Sequence, residues 1–180
     1  MLDPGIGMLI SAALALLFLS AAWHKLRARA EFEAVLAAYR LFPSFLVPAL
    51  SWLTPAAEVT IATGLLIGPT RWLAAPFGCA LLLTYATSIA INLGRGRRDL
   101  DCGCAGPNDR RPIAPWMVVR NLLLAAALSA VTLRWSDRPL EVTDALTIGG
   151  GVAAAAILYH AIDALFGQIM PRGLMLRRLS

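Results

Sequence analysis

The chain has 180 residues, 58% of them hydrophobic and 15% charged, with a formal net charge of +5, whereas a soluble domain carries about 45–50% apolar and about 25% charged residues. The apolar residues fall into blocks of roughly 18–25 residues, the length of helix that crosses about 30 Å of hydrocarbon. Because the positive charges lie between these blocks and so indicate membrane topology, the composition excludes a soluble enzyme, a disordered protein and a nucleic-acid binder.

The first predicted element is a membrane span over residues 6–23, with no basic residue before it and a basic run after it. A secretory signal peptide has the opposite charge order, so we predict an uncleaved span with its N-terminus outside. Residues 29–42 are too short and too charged to span, but Phe32, Val35 and Tyr39 recur at helical spacing. This pattern predicts an amphipathic helix at the membrane interface.

Four more apolar blocks follow, and they predict spans at about residues 44–68, 72–93, 113–133 and 144–166. Glycine, proline and charge dominate residues 94–112, which predicts a loop. There is no repeat and no second domain. The sequence therefore predicts one all-α membrane domain over residues 1–180, an integral helical bundle of four to five spans with an interfacial amphipathic helix after the first.

The distribution of lysine and arginine predicts the orientation of this bundle. Twelve of these residues fall in the first loop, the third loop and the tail, and three fall on the other side of the membrane. The positive-inside rule then places the first loop, the third loop and the tail in the cytoplasm.

Cys102 and Cys104 flank Gly103 in the polar loop. Cα atoms two positions apart in an extended or turning chain lie about 5.5–7 Å from each other, just within the range that a disulfide tolerates, and glycine relaxes the small ring. A bridge in such a ring restricts almost no chain, so it would stabilise no fold and would be easily reduced. The spacing favours a redox-active pair, capable of thiol–disulfide exchange, over two functionless loop cysteines. We predict that Cys79, inside the third span, is a packing residue.

A metal site is the alternative for the same loop. His24 ends the first span, and His160 lies about one and a half helical turns from the membrane face to which the loop returns. With Cys102 and Cys104 they form a four-ligand N/S set suited to zinc or copper. Each histidine alone also fits a structural role, as an interfacial anchor or as a hydrogen-bonded residue of the bundle.

Three ionisable residues are predicted inside spans. By helical rise, Asp163, Arg120 and Glu58 lie roughly 5, 10 and 20 Å below the cysteine face. Arg120 can therefore pair with Asp163 or reach toward Glu58, either as part of a functional site or as an ion pair that fixes the bundle. No motif specifies a cofactor, but with Tyr85 and His160 at similar depth the pocket could hold a quinone head group.

Five stretches carry a resemblance to a known family: WHKL (23–26), AEFEAVLAAYRLFP (30–43), PAAE (55–58), INLGRGRRDLDCGCAG (91–106) and RN (120–121). In this order they resemble the MauE family of methylamine utilisation membrane proteins, within the wider DoxX-like group. The resemblance covers about residues 10–130, and the stretch that contains the cysteines is its most specific part.

The resemblance implies a multi-pass protein of the bacterial inner membrane that helps to mature an exported redox protein, such as the disulfide-rich small subunit of methylamine dehydrogenase. It implies a thioredoxin-like partner and a disulfide-containing client, with Cys102 and Cys104 as the exchanging pair. We expect Arg120, Glu58 and His24 to support that site. The alternatives are a non-catalytic assembly subunit and a metal-handling membrane protein. A role in maturing an exported protein predicts that the cysteine loop faces the periplasm, whereas the charge count predicts that it faces the cytoplasm. Both placements stay open.

Overall fold

The computed structural model describes residues 2–102, 112–133, 135–136 and 138–177, with the backbone alone from residue 166. These residues form six α-helices: α1 (Pro4–Arg27), α2 (Arg29–Tyr39), α3 (Val47–Leu66), α4 (Arg71–Gly94), α5 (Pro115–Ala130) and α6 (Val142–Arg177). Short 3-10 turns, Ser44–Leu46 and Gly68–Thr70, lead into α3 and α4. The predicted all-α helical membrane bundle is confirmed.

Four stretches of the described chain are long and apolar enough to cross a membrane: Pro4–Arg27, Ser44–Leu66, Gly68–Gly94 and Val142–Leu165. Helix α5 is also apolar, but its 16 residues give only about 24 Å of helix. The amphipathic helix predicted after the first span is present as α2, which has 11 residues and buries Phe32 and Tyr39. It follows α1 after a single break at Ala28.

The main core lies between α1, α3, α4 and α5. Its largest fully buried apolar side chains are Phe18, Leu65, Leu82 and Leu128. Helices α4 and α5 approach closely at Gly78, where a Cβ atom would lie 2.5 Å from a methyl group of Leu128. Helix α6 packs on the outside of α1 and leaves most of its surface exposed, as a helix that faces lipid does.

A charged cluster ties the start of α1 to the start of α6. Asp3 caps α1, and its carboxylate also accepts hydrogen bonds from the Arg138 guanidinium at 3.1 Å. The same guanidinium donates to both oxygens of Asp144 at 2.8 Å. We call these three residues the Arg138 network. Because the chain alternates direction, this network and the predicted cysteine loop lie at opposite ends of the bundle.

Candidate functional site within the bundle

An ion pair between α1 and α3 lies fully inside the bundle. Lys25 Nζ donates to Glu58 Oε1 at 2.5 Å, and the two side chains are 3% and 0% exposed. From α4, the Tyr85 hydroxyl donates to the same oxygen at 2.8 Å. The Lys25 ammonium also lies 5.5 Å and 5.2 Å from the ring centroids of Phe32 and Tyr85, where cation–π attraction replaces part of its hydration. Three helices thus converge on one carboxylate oxygen.

Helical periodicity places both charged residues on the buried faces of their helices. In α1 the buried stripe includes Ser11, Ala15, Phe18, Ala22 and Lys25, and in α3 it includes Val47, Ser51, Pro55, Glu58 and Ile61. Lys25 is one of the twelve basic residues counted for the predicted cytoplasmic side, but it is buried in α1. The other eleven against three still predict the same orientation. The stripe could have identified Lys25, which is the only lysine of the chain.

The second oxygen of Glu58 has no hydrogen-bond partner among the residues that the structure describes. Buried carboxylate oxygens are nearly always hydrogen-bonded, because an unsatisfied buried acceptor costs about 1–3 kcal/mol or more. Glu58 is thus both the most deeply buried acid of the described chain and an incompletely satisfied one.

A second ion pair joins α5 to α6. Arg120 Nη1 lies 2.8 Å from Asp163 Oδ1, with side chains 13% and 19% exposed. The guanidinium also lies 5.0 Å and 5.6 Å from the ring centroids of Trp116 and Tyr159. Of the two pairings that the helical depths allowed for Arg120, the structure therefore shows the one with Asp163.

Both ion pairs line one cavity of about 510 Å³ between α1, α5 and α6. Leucine, alanine and valine side chains form most of its remaining wall. The cavity brings together the described members of the predicted site, which are Cys102, Glu58, Arg120, His24 and His160. Each ion pair joins one positive and one negative side chain, so the two pairs add no formal net charge to the cavity.

Cys102 is held at this cavity by an anchored loop. Just after α4, the Arg97 guanidinium donates to the carbonyl oxygen of Ala38, at the end of α2, at 2.7 Å. The Ile113 amide donates to the carbonyl of Leu100 at 2.8 Å and closes the loop just before α5. Cys102 is half-buried and packs against a small apolar cluster near the end of α2. Sequence reasoning did not identify Arg97 as the anchor, since its acceptors lie far away along the chain.

Cys104 and Gly103 lie outside the described residues, so the pairing of Cys104 with Cys102 stays a prediction. Over the part of the chain that is described, no group of three or more His, Cys, Asp or Glu side chains could hold a metal ion. Of the alternative metal set, His24, His160 and Cys102 line one cavity. Elsewhere, Cys79 packs against the main core and donates to the carbonyl of Ala125 at 3.3 Å.

A second, smaller cavity of about 190 Å³ lies beneath α2 and has mainly apolar walls. Lys25, Tyr85 and Cys102 line it as well as the larger cavity. Cys102 therefore lines two cavities, one that contains two ion pairs and one with mainly apolar walls. A cysteine that shares a cavity with buried carboxylate, ammonium and phenol groups is suited to chemistry in which protons accompany electrons.

Comparison with known proteins identifies the family. The family model described as methylamine utilisation protein MauE matches residues 4–135. The chain is 36% identical over 171 residues to the methylamine utilization protein MauE of Methylophilus methylotrophus, covering 92% of this chain and 88% of that protein. It is 34% identical over 170 residues to the Paracoccus denitrificans protein of the same name, covering 94% and 91%. No solved structure matches the chain. The chain therefore belongs to the MauE family of methylamine utilisation proteins.

Proposed function

We propose that this membrane protein performs thiol–disulfide exchange through Cys102 and Cys104 in methylamine utilisation. The observation that carries the proposal is the position of Cys102, a half-buried thiol in an anchored loop that borders the cavity of the Lys25–Glu58 pair. A loop cysteine with a purely structural role has no need to share a cavity with buried acid and base groups.

The exchange follows ordinary disulfide chemistry. A thiolate of the client attacks the Cys102–Cys104 bridge and forms a mixed disulfide, and one cysteine of the pair leaves as a thiolate. The client's second thiolate then attacks the mixed disulfide, which releases the client with a new disulfide and the pair as two thiols. Two electrons pass from client to pair, and the small ring of the bridge favours this direction because it is easily reduced.

The client that we propose is an exported redox protein with disulfides, such as the small subunit of methylamine dehydrogenase, at the bacterial inner membrane. A thioredoxin-like protein is the proposed partner. The names of the relatives support methylamine utilisation, and the resemblance in the cysteine stretch supports the disulfide-rich client.

Three described residues are proposed to support the pair. Glu58 can hold and return a proton next to the cavity, and Arg120 holds α5 against α6 through Asp163. His24 lines the same cavity one residue before Lys25. Their common role is to fix the surroundings of Cys102 rather than to take part in sulfur exchange.

Thiol trapping in membranes tests the proposal. In a Cys79→Ala variant, only the pair can react. We expect two alkylated cysteines after reduction and none after mild oxidation, with Cys102→Ser and Cys104→Ser variants reacting in both states. If both cysteines of the pair stay alkylatable under oxidising conditions, the exchange function is wrong. A membrane-impermeant thiol reagent on intact cells also shows which side of the membrane the pair faces. Labelling of the reduced pair places it in the periplasm, and absence of labelling places it in the cytoplasm, as the charge count predicts.

The second candidate is a non-catalytic assembly subunit, and the two ion pairs between helices favour it because such pairs also fix a bundle. A Cys102→Ser/Cys104→Ser double variant separates the two candidates. Complete loss of client maturation supports exchange chemistry, whereas full maturation supports the assembly role. Stoichiometric metal in the purified protein that disappears in Cys102→Ser would instead support metal handling.

A further inference from the structure

The hydrogen bonding of Glu58, which lines the larger cavity, leaves its Oε2 atom unexplained. Its side chain is fully buried and lines the cavity, and Oε2 has no hydrogen-bond partner among the described residues. The other oxygen already accepts from Lys25 and Tyr85. A buried acceptor of this kind is suited to a ligand that brings its own hydroxyl donor.

The surroundings restrict that ligand further. The cavity lies among the apolar helices of the bundle, and its walls away from the ion pairs are mainly apolar, which favours a ligand that partitions into lipid. Its volume of about 510 Å³ falls in the range of small-molecule sites. Lys25 has three N–H donors, and among the described residues it donates one hydrogen bond, to Glu58. The same spot thus offers an acceptor for a ligand hydroxyl and a donor for a ligand carbonyl.

One class of lipid-soluble molecule carries both groups at the same atom in its two redox states. A quinone presents a carbonyl oxygen, and the quinol formed by its reduction presents a hydroxyl at that position. We propose that the cavity binds a lipid-soluble quinone with one ring oxygen at Glu58 and Lys25. We further propose that this quinone is the electron acceptor for the cysteine pair, a step that rests on the proposed exchange function.

The redox step balances. Cys102 and Cys104 form the S–S bond and lose two protons and two electrons in total. The quinone gains two protons and two electrons and becomes the quinol. Glu58 passes protons to the ring oxygen without being consumed, and Cys102 borders the same cavity. The pair is then ready to oxidise another client.

The experiment uses reduced Cys79→Ala protein in lipid nanodiscs, mixed with decylubiquinone. We expect one quinol for every two thiols lost. Glu58→Gln replaces the free acceptor by an amide and should raise the KM for quinone about tenfold or more, equivalent to about 1.4 kcal/mol of binding. Glu31→Gln makes the same change at an exposed position of α2 and should behave as the parent does. Oxidation of the pair by oxidised glutathione should be the same in the parent protein and in Glu31→Gln, whose side chain lies outside the proposed site.

A second variant protects the test against misfolding. Tyr85→Phe removes only the hydroxyl that donates to Glu58 Oε1, and it should raise the KM for quinone by less than Glu58→Gln does. Quinone binding is also measured directly, by quenching of tryptophan fluorescence. Binding that is unchanged in Glu58→Gln overturns the assignment of the site.

The remaining outcomes separate the two proposals. If oxidised glutathione oxidises the pair but decylubiquinone neither binds nor oxidises it, the quinone proposal fails and exchange chemistry stands. If no oxidant changes the thiols, the exchange function fails together with the acceptor role. Glu58-dependent quinone binding would then support the cavity assignment alone.

Discussion

Two charged clusters tie α1 to the rest of the bundle, and they differ in burial and in hydrogen bonding. In the Arg138 network, one planar guanidinium donates to both oxygens of two aspartates, and the Arg138 side chain is 39% exposed. In the Lys25–Glu58 pair, both side chains are almost completely buried and one carboxylate oxygen has no partner within the described chain.

The difference separates a structural tie from a candidate site. Exposed ion pairs are screened by water, and a typical exposed pair contributes only about 0–1 kcal/mol to stability. A buried charge depends on its partner, since breaking such a pair leaves an uncompensated charge. The Arg138 network has all four carboxylate oxygens in use, whereas Glu58 keeps an acceptor available beside a cavity. Location and incomplete hydrogen bonding, rather than the number of contacts, distinguish the candidate site.

The largest effect is expected from breaking the buried pair. Lys25→Met keeps the length of the side chain but leaves the Glu58 carboxylate with the hydroxyl of Tyr85 alone. We expect a loss of about 3–5 kcal/mol in the free energy of unfolding, measured by denaturant or detergent unfolding of the purified protein.

A double-mutant cycle checks that the loss comes from the pair. Lys25→Met/Glu58→Gln removes both charges and should be more stable than the sum of the single losses predicts, by about 1 kcal/mol or more. Additive losses would mean that the two side chains stabilise the bundle independently. In that case the contrast with the exposed network would disappear.

The second pair should give an intermediate effect. Arg120 and Asp163 are partly exposed and join α5 to α6. We expect Arg120→Gln to lower the free energy of unfolding by about 1–3 kcal/mol, less than Lys25→Met does. Asp163→Asn should give a similar loss, and the double variant should lose less than the two single variants together. A larger loss than in Lys25→Met would show that burial does not rank these pairs.

Sequence reasoning predicted the bundle well because spans depend on composition and helical length, which are local properties. By counting residues along helices it also allowed the pairing of Arg120 with Asp163 that the structure shows. It missed the partner of Glu58 because Lys25 stands in a basic run, where charge alone resembles a loop. Only the position of Lys25 on the buried stripe of α1 separates it from the exposed Arg27 nearby.

The anchor of the cysteine loop was beyond the reach of sequence reasoning for a different reason. Arg97 is one of several arginines after α4, and nothing local distinguishes it from Arg95. Its acceptors lie at the end of α2, 58 and 59 positions away. Such a contact exists only after the helices have packed, so neither hydropathy nor residue spacing predicts it.

Arg97 offers a third and smaller test. Arg97→Gln loses the guanidinium hydrogen bonds to α2 and should cost about 1–2 kcal/mol, because the group is only partly buried. Its main effect should be faster alkylation of Cys102, since the loop is less firmly held. Arg95→Gln, at an exposed position after α4, is the matched control. Equal rates of Cys102 alkylation in Arg97→Gln and Arg95→Gln would show that Arg97 does not anchor the cysteine loop.

The smallest effect is expected at the exposed network. Arg138→Gln should lower Tm only slightly at neutral pH, because water screens the ion pairs that it removes. The hydrogen bond from Arg138 lowers the pKa of Asp3 below its ordinary value. A carboxyl whose pKa is lower in the folded than in the unfolded state contributes stability above the unfolded pKa, and loses it as the pH falls through the folded value.

The Tm difference between the parent protein and Arg138→Gln should therefore shrink as the pH falls below about 4, near the pKa of an unperturbed aspartate. Thermal unfolding at a series of pH values measures this difference. A difference that equals that of Lys25→Met at neutral pH, or that grows in acid, would mean that the Arg138 network behaves as a buried pair. The effect at Arg138 is small because its ion pairs, although fully hydrogen-bonded, are exposed to water. The effect at Lys25 is large because its pair is buried and leaves one carboxylate oxygen without a hydrogen bond within the described chain.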